Sequence, residues 1–366
     1  AIPATIAEFS VARILGGIGI GTASLVCPLY IAEIAPAGRR GRLVSFNQLA
    51  IVCGILVVYF VNYFIAGLGD EAWNASTGWR WMFGSAAAPA AVFFFLALLI
   101  PESPRWLLQH GNEAGARRTL ERVGGGARAD AELRAIAEAL REEPVSASGL
   151  LKPGLRKALL IGASLAVLQQ VTGMNVFMYY APEIFKQVGS GTDTALLQTI
   201  SLGGMNLLFT LVALRIVDRF GRRPIMIAGA SGMALSLVGF GIATYAGVHG
   251  AWVIVFVLAF IACFAVSLGP VVWLIIAEVF PTRIRGRGMA VATLLLWSAN
   301  YVVSQTFPMI NEHPWLVANF RHAFPFILYA CFCLVTVFFV WLVVPETRGK
   351  TLEEIEKLWG SDRTDA

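Results

Sequence analysis

A helix needs about 20 successive apolar residues to cross the hydrocarbon core of a bilayer. This chain of 366 residues holds nine stretches of that kind, at about 7–32, 43–67, 81–100, 158–183, 195–217, 224–247, 251–277, 289–310 and 322–344. Hydrophobic residues make up 57% of it and charged residues only 14%, against about 25% charged in a soluble domain. There is too little polar surface to face water all round, so lipid must cover much of the chain. The pattern predicts an all-α membrane protein. Small residues inside the stretches, such as Gly16, Gly17, Gly19 and Gly21, let membrane helices pack closely.

The formal net charge of +5 does not point to nucleic acid, because the basic residues lie in short loops between apolar runs. One set of loops holds AGRRGR (37–42), residues 101–157, VDRFGRR (217–223), TRIRGRG (282–288) and the tail after Pro345. With Arg215, that set takes all of the 28 Lys and Arg residues except Arg13, Arg80, Lys186 and Arg321. Cytoplasmic loops carry such an excess, so this set and the C-terminus are expected inside an inner (plasma) membrane. Cys27, Cys53, Cys263, Cys331 and Cys333 sit in apolar stretches and the four histidines are scattered. No metal, cofactor or nucleic-acid partner is expected, and no nucleophile or acid–base pair supports an enzyme.

An internal repeat organises the chain. AEIAPAGRRGR begins at Ala32 and AEVFPTRIRGRG at Ala277, an offset of 245. PESPRWLL begins at Pro101 and PETRGKTL at Pro345, an offset of 244. Two motif pairs with one shift are the mark of a two-halved transporter. Three stretches (about 158–247) precede the second copy of the first motif, so three are expected ahead of Ala1 as well. The expectation is a twelve-helix protein shortened at its N-terminus. Its parts are the remainder of an N-terminal bundle (1–100), a helical linker (101–152), a C-terminal six-helix bundle (153–345) and a tail (346–366). In the linker, Leu133, Ile136, Ala137 and Leu140 share one helical face, and VGGG (123–126) separates that helix from a shorter one.

Glu33, Arg40, Asp218, Arg219, Arg222, Arg223, Glu278 and Arg285 fall at inner helix ends, and Glu102 and Glu346 match across the repeat. Such charges either fix topology alone or interlock as salt bridges that hold one conformation and break in another. The duplicated spacing favours a gating network. Arg13 lies inside an apolar run, where an unpaired charge is costly; it either reaches the outer interface or meets an acid outside this chain.

Uncharged amides stand in other runs: Gln48, Gln169, Gln170, Asn175 and Asn206. An amide both donates and accepts, as a sugar hydroxyl does. Such residues also join helices to each other in membranes. A single broad helix face, or a local unwinding at Gly173, could present Gln169, Gln170 and Asn175 together. Gly269 and Pro270 can break a second helix beside Trp273. Phe264 and Trp297 offer flat faces for the C–H side of a sugar ring.

PESPRWLL, QQVTGMNVFMYYAPEIF, VDRFGRRP, GPVVWLIIAEVFPTRIRGRG and PETRGKTLEEIE together resemble the sugar porter family of the major facilitator superfamily over residues 1 to about 358. RILGGIGIG, LVSFNQLAI and LLQTISLGGMNL are most similar to bacterial D-xylose–proton symporters. The resemblance implies twelve helices in two bundles with alternating access, and a monomer. It also implies sugar contacts at Gln48, Gln169, Gln170, Asn175, Asn206 and Trp273, with Tyr179, Phe264 and Trp297 as aromatic lining. Arg13 matches an arginine that faces a proton-accepting aspartate in proton-coupled members. Those symporters carry amides at the positions of Ile55 and Leu296, which are aliphatic here. The implied function is proton symport of D-xylose or D-glucose. Uncoupled facilitated diffusion is the alternative, and a non-transporting sensor a remote third.

Overall fold

The computed structural model describes residues 5–35, 40–141, 153–187, 192–248, 250, 253–280 and 285–346. Among them every regular element is helical. The chain forms two compact units, Ala1–Asn47 with Gly54–Pro144, and Gln48–Cys53 with Val145–Ala366. Residues 101–144, expected as part of a separate linker, group with the first unit.

In the first unit, α1 (Ile6–Ile34) starts at Thr5, whose hydroxyl accepts from Glu8 N at 3.2 Å. It ends at Ala35, which is extended (φ −72°, ψ 133°). Pro36 follows, and a residue ahead of proline avoids the helical region. α2 (Arg40–Ala66) comes next. The third apolar stretch begins before residue 81: α3 (Glu71–Trp73), a π-helical turn (Asn74–Gly78), α4 (Trp79–Ser85) and α5 (Ala87–Ala97) form its near-continuous helix. The segment between the second and third apolar stretches is therefore mostly helical. Asp70 starts it, its carboxylate accepting from Trp73 N at 2.8 Å.

Three short helices complete the unit: α6 (Pro104–Gln109), α7 (Glu113–Gly124) and α8 (Gly126–Arg141). The chain breaks between α7 and α8 at Gly125, inside the VGGG run. Leu107, Ala116, Leu120, Ala129 and Leu133 form a small core, with Leu108 and Ile136 against it. Arg117 joins the two longer helices, 3.0 Å from Glu121 and 3.2 Å from Asp130. The Tyr30 hydroxyl of α1 donates to the Pro101 carbonyl at 2.8 Å.

The second unit holds α9 (Pro153–Val171), α10 (Met174–Gln187), α11 (Thr192–Phe220), α12 (Arg222–Tyr245), α13 (Ile254–Val266), α14 (Leu268–Val279), α15 (Arg285–Asn311), α16 (Pro314–Phe320) and α17 (Phe324–Leu342). Lipid is as apolar as leucine, so close packing and hydrogen bonds, rather than expulsion of water, hold such helices together. α12 and α13 meet closely enough that a Cβ at Gly229 would fall 1.9 Å from Ser267 Oγ. Phe177, Phe240, Phe260 and Phe326 form an aromatic centre, with ring centroids 4.6 Å apart for Phe240–Phe326 and 5.0 Å for Phe177–Phe260.

Eight helical runs among the described residues are long and apolar enough to cross a bilayer, not nine. The expected stretch at 289–310 is a helix of ample length, the 27-residue α15. It is less apolar because it carries Thr293, Ser298, Asn300, Ser304 and Gln305.

Two crossings are broken. α9 passes into α10 at Gly173, whose φ of +83° glycine adopts freely. α13 passes into α14 at Ser267 (φ −118°, ψ −92°). The sequence places this second break at Gly269–Pro270, but proline disrupts the turn before it. Pro270 has no N–H for the Val266 carbonyl and its ring crowds that carbonyl. α13 therefore stops at Val266, and Pro270 sits in the first turn of α14.

Candidate functional site

The first break brings three amides into one row. Gln169 and Gln170 end α9, and Asn175 lies in the first turn of α10. Residues five apart do not face each other on a continuous helix. The turn at Gly173 reverses that, and Asn175 Nδ2 donates to Gln170 Oε1 at 2.6 Å. Tyr329 of α17 fills the space beside the turn; a Cβ on Gly173 would stand 2.5 Å from its ring. Gln170 Nε2 donates to Gln169 Oε1 across a long 3.5 Å. Gln169 and Gln170 are both buried, at 4% and 7% exposure.

The row reaches the second break and a third helix. Gln169 Nε2 donates to the carbonyls of Leu268 at 2.7 Å and Gly269 at 3.3 Å. Asn175 Nδ2 also donates to Asn300 Oδ1 of α15 at 3.1 Å. Asn300 Nδ2 donates to the Tyr179 hydroxyl at 3.2 Å, and Ser304 Oγ donates to Asn300 Oδ1 at 3.3 Å. Tyr180 OH donates to the Ser304 carbonyl at 3.0 Å. The result is a hydrogen-bonded strip of uncharged groups across α9, α10, α14 and α15. It can offer donors and acceptors side by side to a neutral polyhydroxyl solute.

Sequence reasoning missed Asn300 and Ser304. Thr293, Trp297, Asn300 and Ser304 recur at spacings of three or four, the signature of one helical face. That face was legible in ATLLLWSANYVVSQ, had Trp297 not been singled out alone. Thr293 Oγ1, Trp297 Nε1 and Tyr329 OH are buried and have no hydrogen-bond partner among the described residues. Such groups usually have partners, and a hydroxylated ligand or water can supply them.

The other expected residues are placed as follows. Trp273 is half-buried on α14 and Phe264 half-buried on α13. Asn206 is buried on α11 and no hydrogen bond joins it to the row. Gln48 is half-buried on α2. Tyr179 is 53% exposed. Leu296, on the same helix as Trp297, is buried. Arg13 is exposed on α1, with its guanidinium 5.3 Å from the centre of the Phe83 ring. Phe83 also meets Phe9 and Trp79.

The charges expected at inner helix ends divide. Arg222 Nη2 lies 3.2 Å from Glu278 Oε1, and the two side chains are only 12% and 22% exposed. Glu346 spans the start of α12, accepting from Arg222 N and Arg223 N at 3.0 Å each. A helix N-terminus favours an anion in this place. Gly221 gives it room, since a Cβ there would stand 2.8 Å from Glu346 Oε2. Arg223 Nη2 also donates to the Trp341 carbonyl. Arg219 is exposed and lies over the Phe220 ring. Glu33, half-buried, precedes Ala35 as Glu278 precedes Phe280, and both following residues are extended ahead of a proline. The side chains of Arg40, Asp218 and Arg285, and the tail from residue 347, lie outside the described residues.

The family model described as "Sugar (and other) transporter" matches residues 1–359. The chain belongs to the sugar transporter family. This sugar transporter is 47% identical to the D-xylose-proton symporter of Escherichia coli (strain K12), over 96% of the chain and 72% of the relative. It is 40% identical to the arabinose-proton symporter of Bacillus subtilis (strain 168), over 98% and 76%. It is 38% identical to the glucose facilitated diffusion protein of Zymomonas mobilis, over 96% and 74%. The structure of the proton:xylose symporter XylE bound to 6-bromo-6-deoxy-D-glucose matches with a TM-score of 0.85, 47% identity and coverage of 96% and 74%. The inward-open conformation of XylE matches at 0.78. The sugar transporter thus has the major facilitator fold and is a multi-pass membrane protein.

Proposed function

We propose that this protein carries a monosaccharide, D-xylose or D-glucose, across the plasma membrane by proton symport with alternating access. No bond of the sugar changes. The proton gradient shifts which conformations bind the sugar and which release it. The observation that carries the proposal is the row of uncharged amides at two broken helices. Discontinuous helices supply the sites of many secondary transporters.

In this reading Gln170, Asn175 and Asn300 bond the sugar hydroxyls, and Gln169 stands behind them. Trp273, Trp297 and Phe264 supply apolar faces; Tyr179, Gln48 and Asn206 complete the lining. Ile55 and Leu296 supply no hydrogen bonds, which favours a sugar with fewer polar contacts at those points. The pair Arg222–Glu278 and the Glu346 contact hold the inner ends of α12 and α14 and rearrange as the site changes side. The C-terminus is cytoplasmic, and the protein acts as a monomer.

The test is uptake of labelled D-xylose and D-glucose into proteoliposomes with an imposed proton gradient. Symport requires accumulation above the external concentration, and its loss when a protonophore is added. Accumulation of neither sugar, with no binding of either, refutes the proposal. Facilitated diffusion is the second reading. It is favoured by the likeness to a glucose facilitated diffusion protein. Equilibration that ignores the protonophore would select it.

A further inference from the structure

We propose that Gln169 is a positioning residue, a clamp that ties occupancy of the amide row to the break between α13 and α14. The inference rests on the sugar-binding reading above. Its starting point is the pair of hydrogen bonds that tie the end of α9 to the first turn of α14. Gln169 Nε2 has two hydrogens. Leu268 O takes one at 2.7 Å and Gly269 O the other at 3.3 Å. A carbonyl only accepts, so the amide has one orientation: nitrogen toward the break, oxygen toward Gln170.

The rest of the row inherits that polarity. Gln169 Oε1 accepts from Gln170 Nε2, so Gln170 Oε1 is turned to accept from Asn175 Nδ2. Asn175 has its nitrogen spent on two acceptors, which leaves Asn300 to accept with Oδ1 and donate with Nδ2 to Tyr179. Two backbone carbonyls at one end thus set the direction of four amides. The weakest link is the 3.5 Å contact between Gln169 and Gln170.

A polyhydroxyl ligand must replace bonds within this row to be held by it. A hydroxyl that accepts from Gln169, or turns the Gln170 amide so that Gln169 follows, draws the clamp off Leu268 and Gly269. α14 then loses the hold on its first turn. The helix runs unbroken from there to Val279, about 18 Å at 1.5 Å per residue, and carries Trp273 midway and Glu278 at the far end. Glu278 pairs with Arg222 of α12. Sugar at one end of α14 is thereby coupled to an ion pair at the other.

Amide hydrogen exchange of the full chain in lipid nanodiscs tests this, read by mass spectrometry with sugar binding measured on the same sample. D-xylose and D-glucose are the probes. In the native sequence, bound sugar is expected to speed exchange in a peptide covering residues 267–273 about fivefold, the factor that corresponds to one net hydrogen bond. A peptide covering residues 331–340 of α17 serves as the control and is expected to stay unchanged. Gln169→Met keeps the length of the side chain but has nothing to donate. It is expected to show the faster exchange without sugar, with no further change when sugar is added. A merely structural glutamine would not make the effect depend on sugar. Exchange at 267–273 that bound sugar leaves unchanged or slows overturns the clamp while the proposed function stands. Absence of binding by either sugar removes both.

Discussion

Asn300 gives the sharpest test of the amide row, because it alone ties α15 to the amides of α10 among the described hydrogen bonds. It is 6% exposed and joins three side chains: Asn175 at 3.1 Å, Tyr179 at 3.2 Å and Ser304 at 3.3 Å. Replacing it by alanine does not cost three full hydrogen bonds. Tyr179 is half-exposed, so its hydroxyl finds another partner. Ser304 can turn to a carbonyl one turn back on its own helix. Asn175 keeps its 2.6 Å bond to Gln170 but loses the second acceptor that fixes its direction. One net hydrogen bond is worth about 1 kcal/mol, and loss of a bond that the sugar itself makes to Asn300 adds a similar amount. Sugar affinity is therefore expected to fall by about 1–2 kcal/mol, or roughly 5- to 30-fold. Isothermal titration of D-xylose and D-glucose into the purified protein measures it. Ser304→Ala, which removes only the outermost donor, is expected to change affinity by no more than about twofold, under 0.5 kcal/mol. Asn300→Ala with native affinity would refute the reasoning. So would a Ser304→Ala variant equally impaired, since that pattern belongs to helix packing.

Three further outcomes follow from the geometry. Gly173→Ala forces a left-handed φ on a residue with a Cβ, about 1–2 kcal/mol, and pushes the Tyr329 ring, about 1–3 kcal/mol more. A thermal melt should show a clearly lowered midpoint together with weakened sugar binding. Removing either member of the largely buried Arg222–Glu278 pair leaves a charge behind, a loss of about 3–5 kcal/mol for a fully buried pair; Arg222→Ala and Glu278→Gln should each reduce transport with less effect on binding, and a double-mutant cycle should find them non-additive. Glu346→Gln leaves one oxygen to accept from the start of α12 and sets an amide nitrogen against the other N–H, so one bond is lost and the other loses its charge; the melting midpoint should fall, by less than Gly173→Ala lowers it.

Much of this architecture was legible in the sequence, for reasons that differ by residue. The turn at Gly173 is one of two arrangements the sequence allows, because glycine follows two amides and precedes a third inside one apolar run; a single broad helix face is the other, and the positive φ at Gly173 decides between them. The repeat could be read from Glu33 and Glu278, and the backbone honours it: both helices end one residue later, ahead of a proline. The second break was placed near the right residues but too late, because a proline acts on the carbonyl four residues before it. The π-helical turn at Asn74–Gly78 has no periodicity to betray it. The role of Glu346 was only half visible, since its partners are backbone N–H groups that every sequence possesses. Asn300 was lost among apolar neighbours, although Trp297 and Ser304 share its face.

The central claim is that neutral amides take over the hydrogen bonds that water makes to a sugar. Binding of singly deoxygenated sugars to the native protein and to Asn175→Ala measures that exchange directly, hydroxyl by hydroxyl. At least one missing hydroxyl is expected to weaken native binding by about 1–3 kcal/mol and to matter little once Asn175 is gone. If every deoxygenation costs the same in both proteins, the energies are independent and the amide does not hold the sugar.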